Sequence, residues 1–189
     1  MMESVICDAS EIKSIRLDSC PLAIEAEQKV FDKPEIEYDR PIPLSDIRNC
    51  PLEDGHWEGE RGNSKWIPDL DYVPKKSNPE GKTWGEILEK YGIDGIAFVD
   101  GEPVFDNISK GTVTIEGFSS SRDDNFDKAD IELAKQRGCS PEEVKKWRKE
   151  NGYTWHECKD MATMQKVPSE VHNNITHRGG VSNSKSLEN

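Results

Sequence analysis

Three of the four histidines in this chain of 189 residues, His156, His172 and His177, fall within TWHECKDMATMQKVPSEVHNNITHRGG, residues 154–180. A chain so poor in histidine has little reason to group them for packing. Neutral imidazoles serve chemistry in two ways, as ligands for a divalent cation and as bases near neutral pH. Their crowding into one stretch makes a metal cradle the first expectation, and the surrounding residues say how one is built.

YTWHEC predicts a strand, KDMA a turn and TMQKVP a returning strand that ends at Pro168. SEVHNNITH then starts a helix with Ser169 as its natural cap. Alternation along the first strand puts His156 and Cys158 on one face and Trp155 and Glu157 on the other. His172 and His177 converge if the helix ends between them, near Asn174 and Ile175, and Gly179-Gly180 is expected to terminate it. A hairpin followed by a helix makes a compact cradle.

The same residues resemble the C-terminal motif of the HNH/endonuclease VII superfamily, in the Trp-His-His branch found in bacterial polymorphic toxins. They are also similar to the DNase domain of nuclease colicins. The order Trp-His, Met-Gln-x-Val-Pro, His, His, Gly-Gly carries the likeness. It is strongest over 154–180 and extends back toward GHWEGERGNSKWIP, without covering residues 1–55. The resemblance implies an α+β fold with a C-terminal ββα-metal (His-Me finger) module on a mixed helical and hairpin body. It also implies phosphodiester hydrolysis with DNA favoured over RNA, one divalent cation (Zn, Ni, Mn or Mg), and a cognate immunity protein. His156, His172 and His177 are the implied ligands.

One position departs from the pattern. The second histidine of Trp-His-His is Glu157 here, at the place the family gives to the general base. A carboxylate beside a cation is a weaker base than imidazole at neutral pH. Two assignments stay open: His156 ligates and Glu157 is the base, or His156 is the base and Glu157 or Asp160 helps to hold the metal. A rival from another class is a closed structural zinc site of His156, Cys158, His172 and His177 in a non-catalytic, partner-binding protein. A stand-alone housekeeping or phage nuclease is a further reading.

Upstream, ERGNSKW offers Arg61 and Lys65 beside a glycine, the composition of a phosphate-contacting loop, and the colicin-type resemblance strengthens that expectation. His56-Trp57-Glu58 matches half of a zinc deaminase signature, but no P-C-x-x-C follows. Elsewhere the sequence predicts a helix after Thr83 stopped by Gly92, a hairpin around Asp100-Gly101, and a further strand in KGTVTIEGF. A helix capped by Asp123 or Asp124 and ended by Gly138 is expected next, then one with Ser140 as cap, Pro141 at its first position and Glu143 closing a capping box.

Composition bounds the rest. Lys and Arg number 25 against 37 Asp and Glu, a net charge of −12, and residues 1–55 hold 6 basic and 13 acidic side chains. Residues 151–189 hold 4 of each, so the acidity lies away from the histidines. Nucleic-acid binding by such a chain must depend on a local site. The domain reading is an acidic, proline-containing extension with weak strands at 1–55, a nuclease domain at 56–180 with its motif at 153–180, and a frayed polar tail at 181–189. No apolar run suits a membrane span and the start lacks signal-peptide character. The expected location is the bacterial cytoplasm before and after delivery, or export by a specialised route. Five scattered cysteines without a C-x-x-C pair read as reduced thiols.

Overall fold

The computed structural model describes residues 44–187. The weak strands expected in the N-terminal extension fall largely outside these. What is described of it carries helix α1, Leu44–Ile47, and packs on the body: Cys50 is buried in the first core, and Asp46 pairs with Lys159 at 2.6 Å.

Strands β1 (Gly55–Trp57), β2 (Lys65–Pro68), β3 (Ile96–Val99) and β4 (Glu102–Pro103) form one antiparallel sheet in that order. Helix α2, Trp84–Tyr91, starts at a capping box of Thr83 and Glu86 and ends at Gly92, as expected. It buries Trp84, Ile87 and Leu88. The β3–β4 turn takes positive φ at both Asp100 (51°) and Gly101 (75°), the geometry that makes Asp-Gly a two-residue hairpin signal.

The second sheet, ordered β5-β7-β6, is built from β5 (Thr112–Thr114), β6 (Tyr153–Glu157) and β7 (Thr163–Pro168), antiparallel throughout. Cross-strand partners in β6 and β7 are Trp155↔Lys166, His156↔Gln165 and Glu157↔Met164. The alternation therefore sends Trp155, Lys166 and Met164 to one face and His156 and Val167 to the other. Each face meets its own core. Val113, Trp155 and Met164 pack with Ala129, Leu133 and Val144 of helices α3 (Arg122–Arg137) and α4 (Pro141–Glu150). Val167 packs with Trp66, Trp84, Phe98, Phe105 and Val171. No helix among the described residues is long and apolar enough to cross a membrane.

Three expectations shift. Helix α3 is capped by Ser121, whose side chain accepts from the Asp124 amide; Asp123 and Asp124 lie in the first turn, where carboxylates suit the helix dipole. Ser169 is the first residue of helix α5 (Ser169–His172) and not its cap, because Pro168 occupies that position with no side-chain bond. The tail expected to fray is helical instead, as α6, Gly180–Leu187. Asn183 holds it by donating to the Lys159 carbonyl, and Arg178 donates to Ser186 at 2.7 Å.

The second core encloses a paired buried carboxylate and an unpaired buried amine, of opposite standing. Asp130, 1% exposed, accepts from Arg148 Nε (3.1 Å) and Nη2 (2.8 Å) and from Trp155 Nε1 (2.8 Å). Lys166 is fully buried, and among the described residues its ammonium has no hydrogen-bond partner and meets the face of Trp147 at 4.2 Å. Burial, reinforced by the Arg137 charge, pushes Lys166 from 10.5 down to about 7.

Asp130→Ala leaves the Arg148 guanidinium buried without its partner and should cost about 3–5 kcal/mol in urea unfolding. Lys166→Met should do the opposite, stabilising by about 1–3 kcal/mol near neutral pH by removing an unsatisfied buried donor. Below pH 7 the ammonium is charged in both folded and unfolded states, so its burial cost is fully present. Between 7 and 10.5 only the unfolded chain holds the proton, and wild-type stability rises with pH. The advantage of Lys166→Met should accordingly shrink as pH rises through that window.

Candidate metal centre

His156 sits on β6, on the face turned away from α3 and α4, and is 1% exposed. Helix α5 ends at His172, and a turn at Asn173 and Asn174 brings the chain back so that His177 faces the same point. The helix does end between the two histidines, slightly before the expected break near Asn174 and Ile175. The three ring centroids are 5.0–5.3 Å apart, and one nitrogen from each lies within 4.8 Å of the others. Phe105, 1% exposed, floors the triad, with centroid distances of 5.0 Å to His156, 5.8 Å to His172 and 6.3 Å to His177.

The nitrogens are presented, not merely close. His177 Nδ1 lies 2.9 Å from the Ile175 carbonyl, which can only accept, so Nδ1 carries the proton and Nε2 the lone pair. His172 Nδ1 lies 3.1 Å from Asn173 Oδ1, which fixes the same tautomer there. His172 Nε2 is 3.3 Å from His156 Nδ1. Two nitrogens bound to one tetrahedral ion at about 2.0–2.1 Å are separated by about 3.3–3.4 Å. The pair already spans one edge of such a site. Burial, with the neighbouring imidazoles, holds His172 well below its usual range, and burial likewise pushes His177 down to about 4. Both rings are neutral at pH 7, the state a metal needs. Donor type, spacing and protonation therefore fit one divalent cation.

The remaining candidates separate. Glu157, turned toward α3, is held by Arg122 Nε at 3.1 Å and Asn125 Nδ2 at 2.9 Å, with both carboxylate oxygens engaged. It does not join the imidazole cluster, yet it lines the same groove. Asp160 is spent on its own turn, accepting from the Ala162 and Thr163 amides and the Thr163 hydroxyl. Cys158 groups with Glu102 and His156 and not with the three histidines together, so a closed four-ligand site is not assembled. Arg61 reaches the groove and donates to the Cys50 carbonyl at 2.5 Å. Lys65 does not reach it: its ammonium pairs with Asp94 at 2.7 Å and Glu58 at 3.8 Å.

Gly179 and Gly180 lie beyond the helix they were expected to end. A Cβ at Gly179 would come 2.9 Å from the Glu157 carbonyl oxygen, and one at Gly180 2.5 Å from that of Cys158. The pair lets the chain pass against the end of β6 and feeds α6 back to the groove. Sequence reasoning also missed Arg122, Asn125, Glu102 and Phe105, which act through partners far away in the chain.

The groove has a volume of about 1160 Å³ and is lined by Arg48, Arg61, Lys76, Arg122 and Lys185 against Glu53, Asp54 and Glu157. It exceeds the roughly 300–1,000 Å³ of small-molecule sites, and its surplus of cations in a chain of net −12 suits an anionic polymer.

No curated protein matches the chain at a significant level. Residues 95–179 match the family described as the DNase/tRNase domain of colicin-like bacteriocin. That stretch runs from the β3–β4 hairpin through α3, α4 and the β6–β7 pair to the last imidazole and Gly179, so the similarity to a colicin-type nuclease domain takes in all three histidines.

Proposed function

We propose that the protein is a metal-dependent endonuclease of the HNH type that hydrolyses phosphodiester bonds in DNA, the toxic domain of an interbacterial competition system restrained by a cognate immunity protein. The observation that carries this reading is the convergence of His156, His172 and His177, with ligand nitrogens within 4.8 Å of one another and one pair at 3.3 Å, beside a groove lined by five cationic side chains. A divalent cation held by these imidazoles would neutralise charge on the scissile phosphate and stabilise the leaving oxyanion.

The chain's own residues supply the rest. Glu157 stands where the family places its base, with its carboxylate oriented by Arg122 and Asn125. It takes the proton from, or orients, the attacking water, while His156 serves as ligand and not as base. The engagement of Asp160 in its turn and the placing of Glu157 outside the imidazole cluster both favour this assignment over the reverse one. Arg122, 62% exposed at its side chain, faces the groove with its remaining guanidinium nitrogens and contacts phosphate there. Arg61 is a second phosphate contact.

Plasmid nicking with a panel of divalent metals and an EDTA control, run beside a structured RNA substrate, tests the reading. Metal-dependent nicking of DNA that EDTA abolishes is expected; cleavage of RNA alone would replace the substrate assignment. In melts of the metal-loaded protein, wild type should gain about 2.7 kcal/mol at a hundredfold excess of metal over Kd. His172→Ala and His177→Ala should lose that gain.

Glu157→Gln should cut turnover by roughly 10²-fold or more with metal affinity nearly intact. Loss of metal binding in that variant would instead move Glu157 into the ligand set and make His156 the base.

A further inference from the structure

Of the three imidazoles, His156 alone has no backbone or amide acceptor on its outer nitrogen. Its Nε2 is buried and, among the described residues, makes no hydrogen bond. The nearest acid is Glu102 of β4, whose Oε1 lies 3.5 Å away, and that same oxygen accepts the Lys159 amide at 2.6 Å. The carboxylate is thus anchored to the turn after β6 and aimed at the one unsatisfied atom of the triad. Its side chain is 25% exposed, which leaves it free to close the last half ångström or so to hydrogen-bond length.

We propose that Glu102 is a positioning residue that fixes the tautomer of His156, an inference that rests on reading the triad as a metal centre. Two tautomers compete. With its proton on Nδ1, His156 donates to the His172 Nε2 lone pair at 3.3 Å, and the two rings satisfy each other while closing the ligand edge to a cation. With its proton on Nε2, His156 donates to Glu102 and presents the Nδ1 lone pair beside that of His172. A charged acceptor makes the second bond the stronger one. Glu102 therefore selects the ligand-competent form before any metal arrives, as outer carboxylates do for metal-binding histidines generally. Glu102 reaches this position because the Asp100-Gly101 turn folds β4 toward β6, and Lys159 Nζ donates to the Asp100 carbonyl at 2.5 Å to hold the turn there.

The test compares wild type, Glu102→Gln and Glu102→Ala as full-length chains. Long-range proton–nitrogen NMR of the metal-free protein reads the His156 tautomer, Zn²⁺ titration against a chromophoric chelator reads affinity, and thermal melts read the fold. Wild type should show the proton on Nε2. Glu102→Ala should move it to Nδ1 and weaken Zn²⁺ by about 10–100-fold. Glu102→Gln, which keeps a neutral acceptor, should retain the tautomer and fall between the two in affinity.

An unchanged tautomer and affinity in Glu102→Ala, with only a lower melting temperature, would overturn the proposal and leave Glu102 as a support for the Lys159 amide. Binding of two Co²⁺ ions with a thiolate charge-transfer band would overturn it too, since Glu102 and Cys158 would then be ligands beside His156. If wild type binds no Zn²⁺, the metal reading itself fails; the NMR comparison still decides whether Glu102 sets the tautomer.

Discussion

The hydrogen bonds that converge on Asp130 hold the strand on which the site is built. Asp130 takes two from Arg148 of α4 and one from the Trp155 indole of β6, all inside the second core. A carboxylate stripped of water is tolerated only when its lone pairs are matched in this way. The consequence lies one residue along. With Trp155 pinned toward α3 and α4, the pleat of β6 turns His156 to the opposite face. A slip of one residue would send His156 into the apolar helix face and Trp155 into the groove, so the register of β6 sets the histidine cluster.

The sheet thereby becomes a partition between two kinds of chemistry. On the helix side the alternation delivers Glu157 to Arg122 and Asn125, which orient a carboxylate near the groove's edge. On the other side it delivers His156 to Phe105, Glu102 and the two later histidines. Adjacent residues on one strand are thus placed on opposite faces, with the carboxylate of one outside the imidazole cluster of the other. The close passage of Gly179 and Gly180 over the carbonyls of Glu157 and Cys158 ties the end of the motif to the strand where it begins.

Much of this was legible in the sequence because the signals are local. The hairpin, the break after His172 and the Asp-Gly turn each follow from a few neighbouring residues. Gly92 and Gly138, in the left-handed conformation at helix ends, were equally readable. What escaped depends on partners distant in sequence. Glu102 becomes relevant only when β4 meets β6, and Arg122 only when α3 crosses Glu157. Lys65 looked like a phosphate ligand beside Arg61, yet β2 pairing carries it to Asp94. Ser121 and Pro168 displaced the expected caps because a cap is set by the angle at which the chain enters the helix. Residue type alone does not fix that angle.

A chain of net −12 is an unpromising binder of nucleic acid. Coulomb attraction between exposed groups fades beyond a Debye length of about 8 Å in physiological salt, so distant acids matter less than those within the groove. Several basic residues outside the groove are already paired on the surface, as Lys65, Lys82, Lys135 and Lys145 are. Arg122 differs from them: its partner Glu157 is buried while its own side chain stays largely exposed, so one cation orients a carboxylate and still presents charge to the groove. Positive charge is then concentrated beside the imidazole cluster. The acidic remainder of the surface would repel a polyanion everywhere else.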